Sequence, residues 1–221
     1  MTLRRLAALL AALCAAAALP AGADDDPPPT IPSKGDATIA VLGAWHAAPQ
    51  HDFVAEQQRD GFNPQHKLFQ PTGLLSLGFA ADEEFQVTID LGYGIDSYQL
   101  TTGTANVSSV SLLLGADTPF YANRYLTLYG GGGLGYSLNN FTNAGTSVES
   151  NSSAGYLKVG MRLRLSSKIA FVVEDRYIVS SALWPALHSN FTVGGNLLSA
   201  GFMFHFFSPA DAGHPAGPSD R

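Results

Sequence analysis

Gln86-Val-Thr-Ile-Asp-Leu-Gly-Tyr-Gly-Ile-Asp96 places Val87, Ile89, Leu91, Tyr93 and Ile95 on one side and Gln86, Thr88, Asp90, Gly92, Gly94 and Asp96 on the other. Successive side chains of an extended strand point to opposite faces, so a strict period of two marks a sheet with two unlike faces. No large apolar residue crosses over in this stretch. The same design returns further along the chain. Leu157, Val159, Met161, Leu163 and Leu165 oppose Lys158, Gly160, Arg162 and Arg164, and Leu198, Ala200, Phe202, Phe204 and Phe206 oppose Ser199, Gly201, Met203 and His205.

Weaker versions fill the intervals: Ile39, Val41 and Trp45; Leu75, Leu77 and Phe79; Val110, Leu112 and Leu114; a glycine-rich run from Tyr125 through Leu126, Leu128, Leu134, Tyr136 and Leu138; and Phe171, Val173, Tyr177 and Val179. These make eight strands, and single-chain bacterial barrels favour even numbers. The connections alternate as well. Ala81 to Glu84, Thr118 to Arg124 and Ser166 to Lys168 are short, whereas Ala47 to Phe69, Ser97 to Asn106, Asn139 to Ser153 and Ser180 to Gly195 are long. Outer-membrane barrels combine short periplasmic turns with longer external loops. The fold class expected is therefore all-β, an eight-stranded antiparallel up-and-down transmembrane β-barrel.

The polar face separates a lipid-facing barrel from a soluble one, whose apolar side would point inward. A water-facing exterior carries many lysines and glutamates. Here that face is mainly Gly, Ser, Ala and Thr, and only 14% of the 221 residues are charged. Small residues suit the interior of eight strands, which is just wide enough for side chains to fill. Trp45, Tyr93, Tyr98, Tyr125, Tyr136 and Tyr177 stand near strand ends, where interfacial girdles form.

The flanks agree with export. Arg4 and Arg5 precede an apolar run from Leu6 to Leu19, followed by Pro20 and Ala21-Gly22-Ala23, the pattern of a cleavable signal peptide over residues 1–23. The run is shorter than the roughly 20 residues a membrane helix needs. Cys14, the only cysteine, lies inside it, so the exported chain would hold no disulfide. Losing residues 1–23 moves the net charge from −6 to −8 (10 basic, 18 acidic), a poor balance for binding nucleic acid. Residues 24–35, with Pro27, Pro28, Pro29 and Pro32, read as an extended leader, residues 36–207 as the barrel, and residues 208–221 as a disordered tail.

The chain resembles the outer-membrane β-barrel-domain families that include the outer-membrane protein A transmembrane domain, the outer-membrane protein W group and opacity-type adhesins. The resemblance rests on the glycine-rich strand from Tyr129 to Tyr136, on Val159-Gly160-Met161-Arg162-Leu163, on Glu174-Asp175-Arg176-Tyr177, and on Gly201-Phe202-Met203-Phe204-His205-Phe206. It implies a small outer-membrane barrel with a structural, adhesive or surface-interaction role through its external loops. A narrow channel for small or apolar solutes is the alternative. Such chains usually stop at a terminal aromatic, whereas this one continues from Ser208 to Arg221.

Asp90, Lys158, Arg162, Arg164, Glu174 and Arg176 fall on polar faces and are expected to form a structural charge network in the lumen, because an unpaired buried charge is strongly disfavoured. Asp175 is aimed at lipid by strict alternation and marks either a bulge or an interfacial position. Gly130 to Gly133 with Gly135 fit G-x-G-x-x-G, but Leu134, Tyr136 and Leu138 continue a strand where a nucleotide site needs a helix.

His188-Ser189-Asn190 approaches the His-x-Ser-Asn motif of lipid A deacylases. The spacer is missing, adjacent strand residues point to opposite faces, and residues 196–207 hold no acid, so a deacylase-like enzyme is the weakest alternative. His46, His51, Asp52 and His66, with Glu56 and Arg59 between them, have the loose spacing of solvated loop groups rather than of a metal set. No catalytic residue, cofactor or metal is expected. The expected partners are outer-membrane lipids and host or envelope components at the loops, with the protein a monomer.

Overall fold

The structure is a computed structural model and describes residues 34–47, 65–66, 70–82, 84–100, 103–123, 125–143, 146–166, 168–184, 189–192 and 194–206. Eight long strands carry the architecture: β1 Ala37–Ala47, β2 Gln70–Ala80, β3 Gln86–Leu100, β4 Gly103–Ala122, β5 Leu126–Asn143, β6 Thr146–Arg164, β7 Ile169–Trp184 and β8 Gly195–Phe206. Each pairs antiparallel with its sequence neighbour, β7 with β8 included, and β8 also pairs with β1, which closes the sheet. Closure leaves no edge through the lipid-facing wall, where each unpaired backbone group in hydrocarbon would cost several kcal/mol. Two short strands lie at the loop end, Gln65–His66 against β3 and Ser189–Thr192 against β7.

The period-two reading holds along most of the wall; Met161, expected on the outer face with Leu157 and Val159, is buried instead. Leu134 and Leu157 are 74% and 72% exposed on the outside, whereas Asp90 and Ser199 are fully buried inside. Trp45, Tyr93, Tyr136 and Tyr177 also face outward. Gly130 to Gly133 lie within β5, paired on both sides.

Both termini of the barrel and three short turns share one end, the periplasmic end in proteins of this architecture. Each turn is fastened by a polar side chain that accepts backbone N–H groups. The carboxylate of Asp82 accepts from Glu84 N at 2.9 Å, and Asn123 Oδ1 accepts from Tyr125 N and Leu126 N at 2.9 and 2.8 Å. Ser166 Oγ accepts from Lys168 N and Ile169 N at 3.3 and 3.1 Å.

The other end departs from expectation. Ser97 to Asn106 and Asn139 to Ser153, expected as loops, are mostly strand: β3 and β4 pair as far as Leu100 with Gly103, and β5 and β6 as far as Asn143 with Thr146. These outer segments are rich in Ser, Thr and Asn on both faces, so they rise beyond the apolar belt and carry no alternating signal. Thr118 to Ala122 is strand as well. Pro119 lacks the N–H a ladder needs, and β4 absorbs it by a register shift between Pro119 and Tyr121, a bulge that leaves Phe120 outside the pairing.

Candidate functional site

Packing decides what the barrel encloses. The lumen is divided by a layer of charged and aromatic side chains built from β3 to β7. Arg176 on β7 is fully buried and donates from Nη1 to Asp90 Oδ2 on β3 at 2.6 Å. Its Nε donates to Glu174 Oε1 on its own strand. Tyr129 OH on β5 holds the second oxygen of Glu174 at 2.8 Å, and Tyr156 OH on β6 adds a donor to Asp90 Oδ2 at 3.1 Å.

A second group lies toward the turn end. Asp117 on β4 receives Lys158 Nζ at 2.8 Å and Arg162 Nη2 at 3.0 Å, both from β6. The tyrosine rings fill the space between the groups. Arg162 stands 4.1 Å from the Tyr129 centroid, Arg176 5.1 Å from that of Tyr156, and Lys158 5.8 Å from both. Cations over ring faces gain electrostatic attraction in a desolvated site.

Three carboxylates, Asp90, Asp117 and Glu174, thus face three cations, Lys158, Arg162 and Arg176, and the layer carries no net charge when all are ionised. Removing one partner of a buried pair leaves an uncompensated charge. The rings need room, which glycine provides. A Cβ on Gly115 would lie 2.0 Å from Tyr156 OH, and one on Gly160 2.5 Å from the Tyr129 ring.

Of the six residues singled out from the sequence, Asp90, Lys158, Arg162, Glu174 and Arg176 meet in this layer. Arg164 does not. It sits at the end of β6, where its Nε donates to Ser166 O in the turn at 3.2 Å. Sequence reasoning missed Asp117, Tyr129 and Tyr156. Their strand parity was legible, because each shares a face with inward-pointing small residues; Tyr and a turn-proximal Asp were overlooked for their type. Asp175 points outward without a bulge, between Val173 and Tyr177, and has no partner among the described residues. His51, Asp52, Glu56, Arg59 and His188 lie outside the described residues.

Above and below the layer the lumen differs. The loop-side half holds a cavity of about 70 Å³, walled by Thr72, Ser109, Ser111, Ser137 and Ser180 with Arg176 at its floor. The turn-side half holds about 10 Å³, bounded by Thr38, Gln86, Asp117, Lys158, Glu174 and Met203. One water needs on the order of 10–15 Å³ by this measure. The upper space is a small vestibule, and the lower one admits at most a single water. No residue lines both.

A closed eight-stranded barrel with an apolar exterior and a filled charged interior defines a small outer-membrane β-barrel protein. The profile of the outer membrane protein beta-barrel domain matches residues 6–206, and the chain belongs to that family. Family and fold place it in the outer membrane. Among solved structures it is similar to Neisserial surface protein A, with TM-score 0.56, 14% identity, 78% of this chain and 100% of that one covered. It is similar also to OprG of Pseudomonas aeruginosa, with TM-score 0.54, 14% identity and coverage of 80% and 98%. AlkL in lipid bilayers follows with TM-score 0.50, 13% identity and coverage of 86% and 96%. At these identities the likeness concerns the fold. No curated protein matches significantly.

Proposed function

We propose that this protein is a sealed, monomeric barrel that supports the envelope and presents its loop end to surfaces, host molecules or other envelope components, after export directed by residues 1–23. The observation that carries the sealed reading is the neutral layer of Asp90, Asp117, Glu174, Lys158, Arg162 and Arg176 packed with Tyr129 and Tyr156 across the lumen. Ions crossing it would have to break buried pairs or shed their water in a space of about 10 Å³. The surface role is supported by the uneven height of the wall. Strands β4 to β6 have 18 to 20 residues against 11 or 12 in β1, β2 and β8, so a polar hairpin projects beyond the belt. Binding residues concentrate where a rigid scaffold holds exposed segments.

Planar-bilayer recording on purified protein tests the sealed reading: no discrete conductance is expected, and reproducible steps would establish the narrow-channel alternative. Shortening the β5–β6 hairpin by deleting residues 140–149 tests the surface role, with loss of binding to host cells or envelope fractions expected and heat-modifiable gel migration retained. Unchanged binding would contradict it.

A further inference from the structure

The mouth of the vestibule carries a histidine that the charge layer does not use. His46 lies next to the last residue of β1 with its ring buried, and both ring nitrogens face oxygen. Nε2 lies 3.2 Å from the carbonyl oxygen of Gly194, and Nδ1 lies 3.2 and 3.4 Å from the two carboxylate oxygens of Asp96 on β3. A carbonyl only accepts, so Nε2 must carry a hydrogen. An ionised carboxylate only accepts too, so a neutral imidazole would then turn a bare lone pair toward Asp96. The geometry is satisfied when the triad holds one more proton than neutral histidine and ionised aspartate possess together. The imidazolium donating in both directions is the arrangement that also gains an ion pair.

The local backbone is shaped to supply the Gly194 carbonyl. A Cβ on Gly194 would fall 2.1 Å from the carbonyl oxygen of Ile178, so only glycine lets the chain lie this close to β7. Gly195 follows with φ of 138°, a conformation other residues rarely adopt. Two consecutive glycines therefore press the entry of β8 against β7 and leave the carbonyl of Gly194 within reach of His46.

We infer that His46, Asp96 and Gly194 form a proton-operated clamp at the loop-side mouth of the lumen, closed when the triad holds its extra proton and loosened when that proton leaves. Because the closed arrangement binds the proton, acid favours it and rising pH releases it. Release leaves one ring nitrogen without a hydrogen, so either the Asp96 or the Gly194 contact changes from attraction to repulsion, and the link from His46 across the mouth to β3 or to the entry of β8 is lost. The elements packed around His46 contribute few other ionisable groups. Among the described residues lining the cavity the one such group is Arg176 of β7, at the floor; Tyr93 of β3 borders the cavity but turns outward, and β2 and β8 contribute Thr72, Leu74 and Leu197, which do not titrate. Asp175 of β7 faces outward. The clamp stands whether or not the lumen conducts, since it rests on the mouth and not on the charge layer.

The test is NMR of the full-length mature protein in lipid bilayers or micelles, with 15N-labelled histidine and 13C-labelled glycine, followed from pH 5 to 9. At pH 5.5 both His46 ring nitrogens are expected at protonated shifts. The Gly194 carbonyl and Gly195 amide should then move with the same midpoint as the ring. Asp96→Asn should lower that midpoint by about one unit, a tenfold loss of proton affinity, and His46→Gln should make the Gly194 carbonyl shift independent of pH. Neutral-tautomer nitrogens in the wild type at pH 5.5, or a Gly194 carbonyl that ignores the ring's titration, would overturn the clamp without any variant being needed. An unchanged midpoint in a folded Asp96→Asn protein would do so as well.

Discussion

The two halves of the lumen share one wall and are built on opposite principles. The turn-side half is filled by long charged side chains and tyrosine rings that pair across five strands and leave about 10 Å³. The loop-side half is lined by serine, threonine and glycine together with Leu74, Leu113, Ile178 and Leu197, carries a titratable clamp at its mouth, and keeps about 70 Å³ open. Stability is thus concentrated where the barrel must close, and space is left where the barrel meets the outside. In a marginally stable protein such a division lets the loop end vary in sequence at small cost, because hydroxyl side chains bordering open space contribute little individually, whereas each member of the charge layer is held by several others.

Substitutions that exploit this asymmetry should have unequal effects. The largest is expected from Arg176→Met, which leaves Asp90 and Glu174 without their shared cation. A loss of roughly 3–5 kcal/mol is expected, read by urea unfolding in lipid bilayers. A loss under 1 kcal/mol would mean that the layer is dispensable. Next comes Gly160→Val, whose side chain must displace the Tyr129 ring and with it the hydrogen bond to Glu174. Overpacking of this kind costs roughly 1–3 kcal/mol, and the same assay would expose an error by returning a wild-type midpoint. Asp175→Leu should run the other way. Removing an unpartnered carboxylate from the lipid-facing wall should stabilise the barrel by about 1–2 kcal/mol, somewhat below the cost of a basic residue at such a site. Destabilisation there would show that Asp175 has a partner. The smallest effect is expected from Ser111→Ala in the vestibule, within about 1 kcal/mol of wild type, and a larger loss would remove the distinction between the halves.

How much of this was legible beforehand follows the same division. Alternation, clear in Val87 to Ile95, Leu157 to Leu165 and Leu198 to Phe206 and weaker in five further segments, reveals eight strands and their faces, because lipid and lumen impose opposite polarity on neighbouring residues. Above the belt both faces are polar, the inner one packed through Asn139, Ser150 and Ser152, so Asn139 to Ser153 carries no apolar alternation and reads as a loop although it is mostly paired strand. Pro119 likewise suggests a turn, and only the register shows the bulge that accommodates it. Within the site, Asp90, Lys158, Arg162, Glu174 and Arg176 announce themselves as charges on a face that should not hold lone ones. Arg164 carries the same signature and is excluded only by its height, since it lies at the turn where its guanidinium reaches Ser166. Tyr129 and Tyr156 are hidden by type, as an aromatic in a barrel strand suggests an interfacial girdle, and only parity with Gly131, Gly133 and Lys158 places them inside. The clamp at His46 depends on residues far apart in sequence, Asp96 and Gly194, which no local pattern connects.

Single cysteines placed above and below the charge layer test the sealed lumen most directly. Ser111→Cys lines the vestibule and Met203→Cys lines the turn-side space, and Cys14, the one native cysteine, falls in the segment expected to be removed on export. With a small membrane-impermeant thiol reagent added to the outside of intact cells, Ser111→Cys should be modified and Met203→Cys should stay unmodified until the outer membrane is permeabilised. Modification of both from outside at comparable rates would show an open lumen and contradict the account.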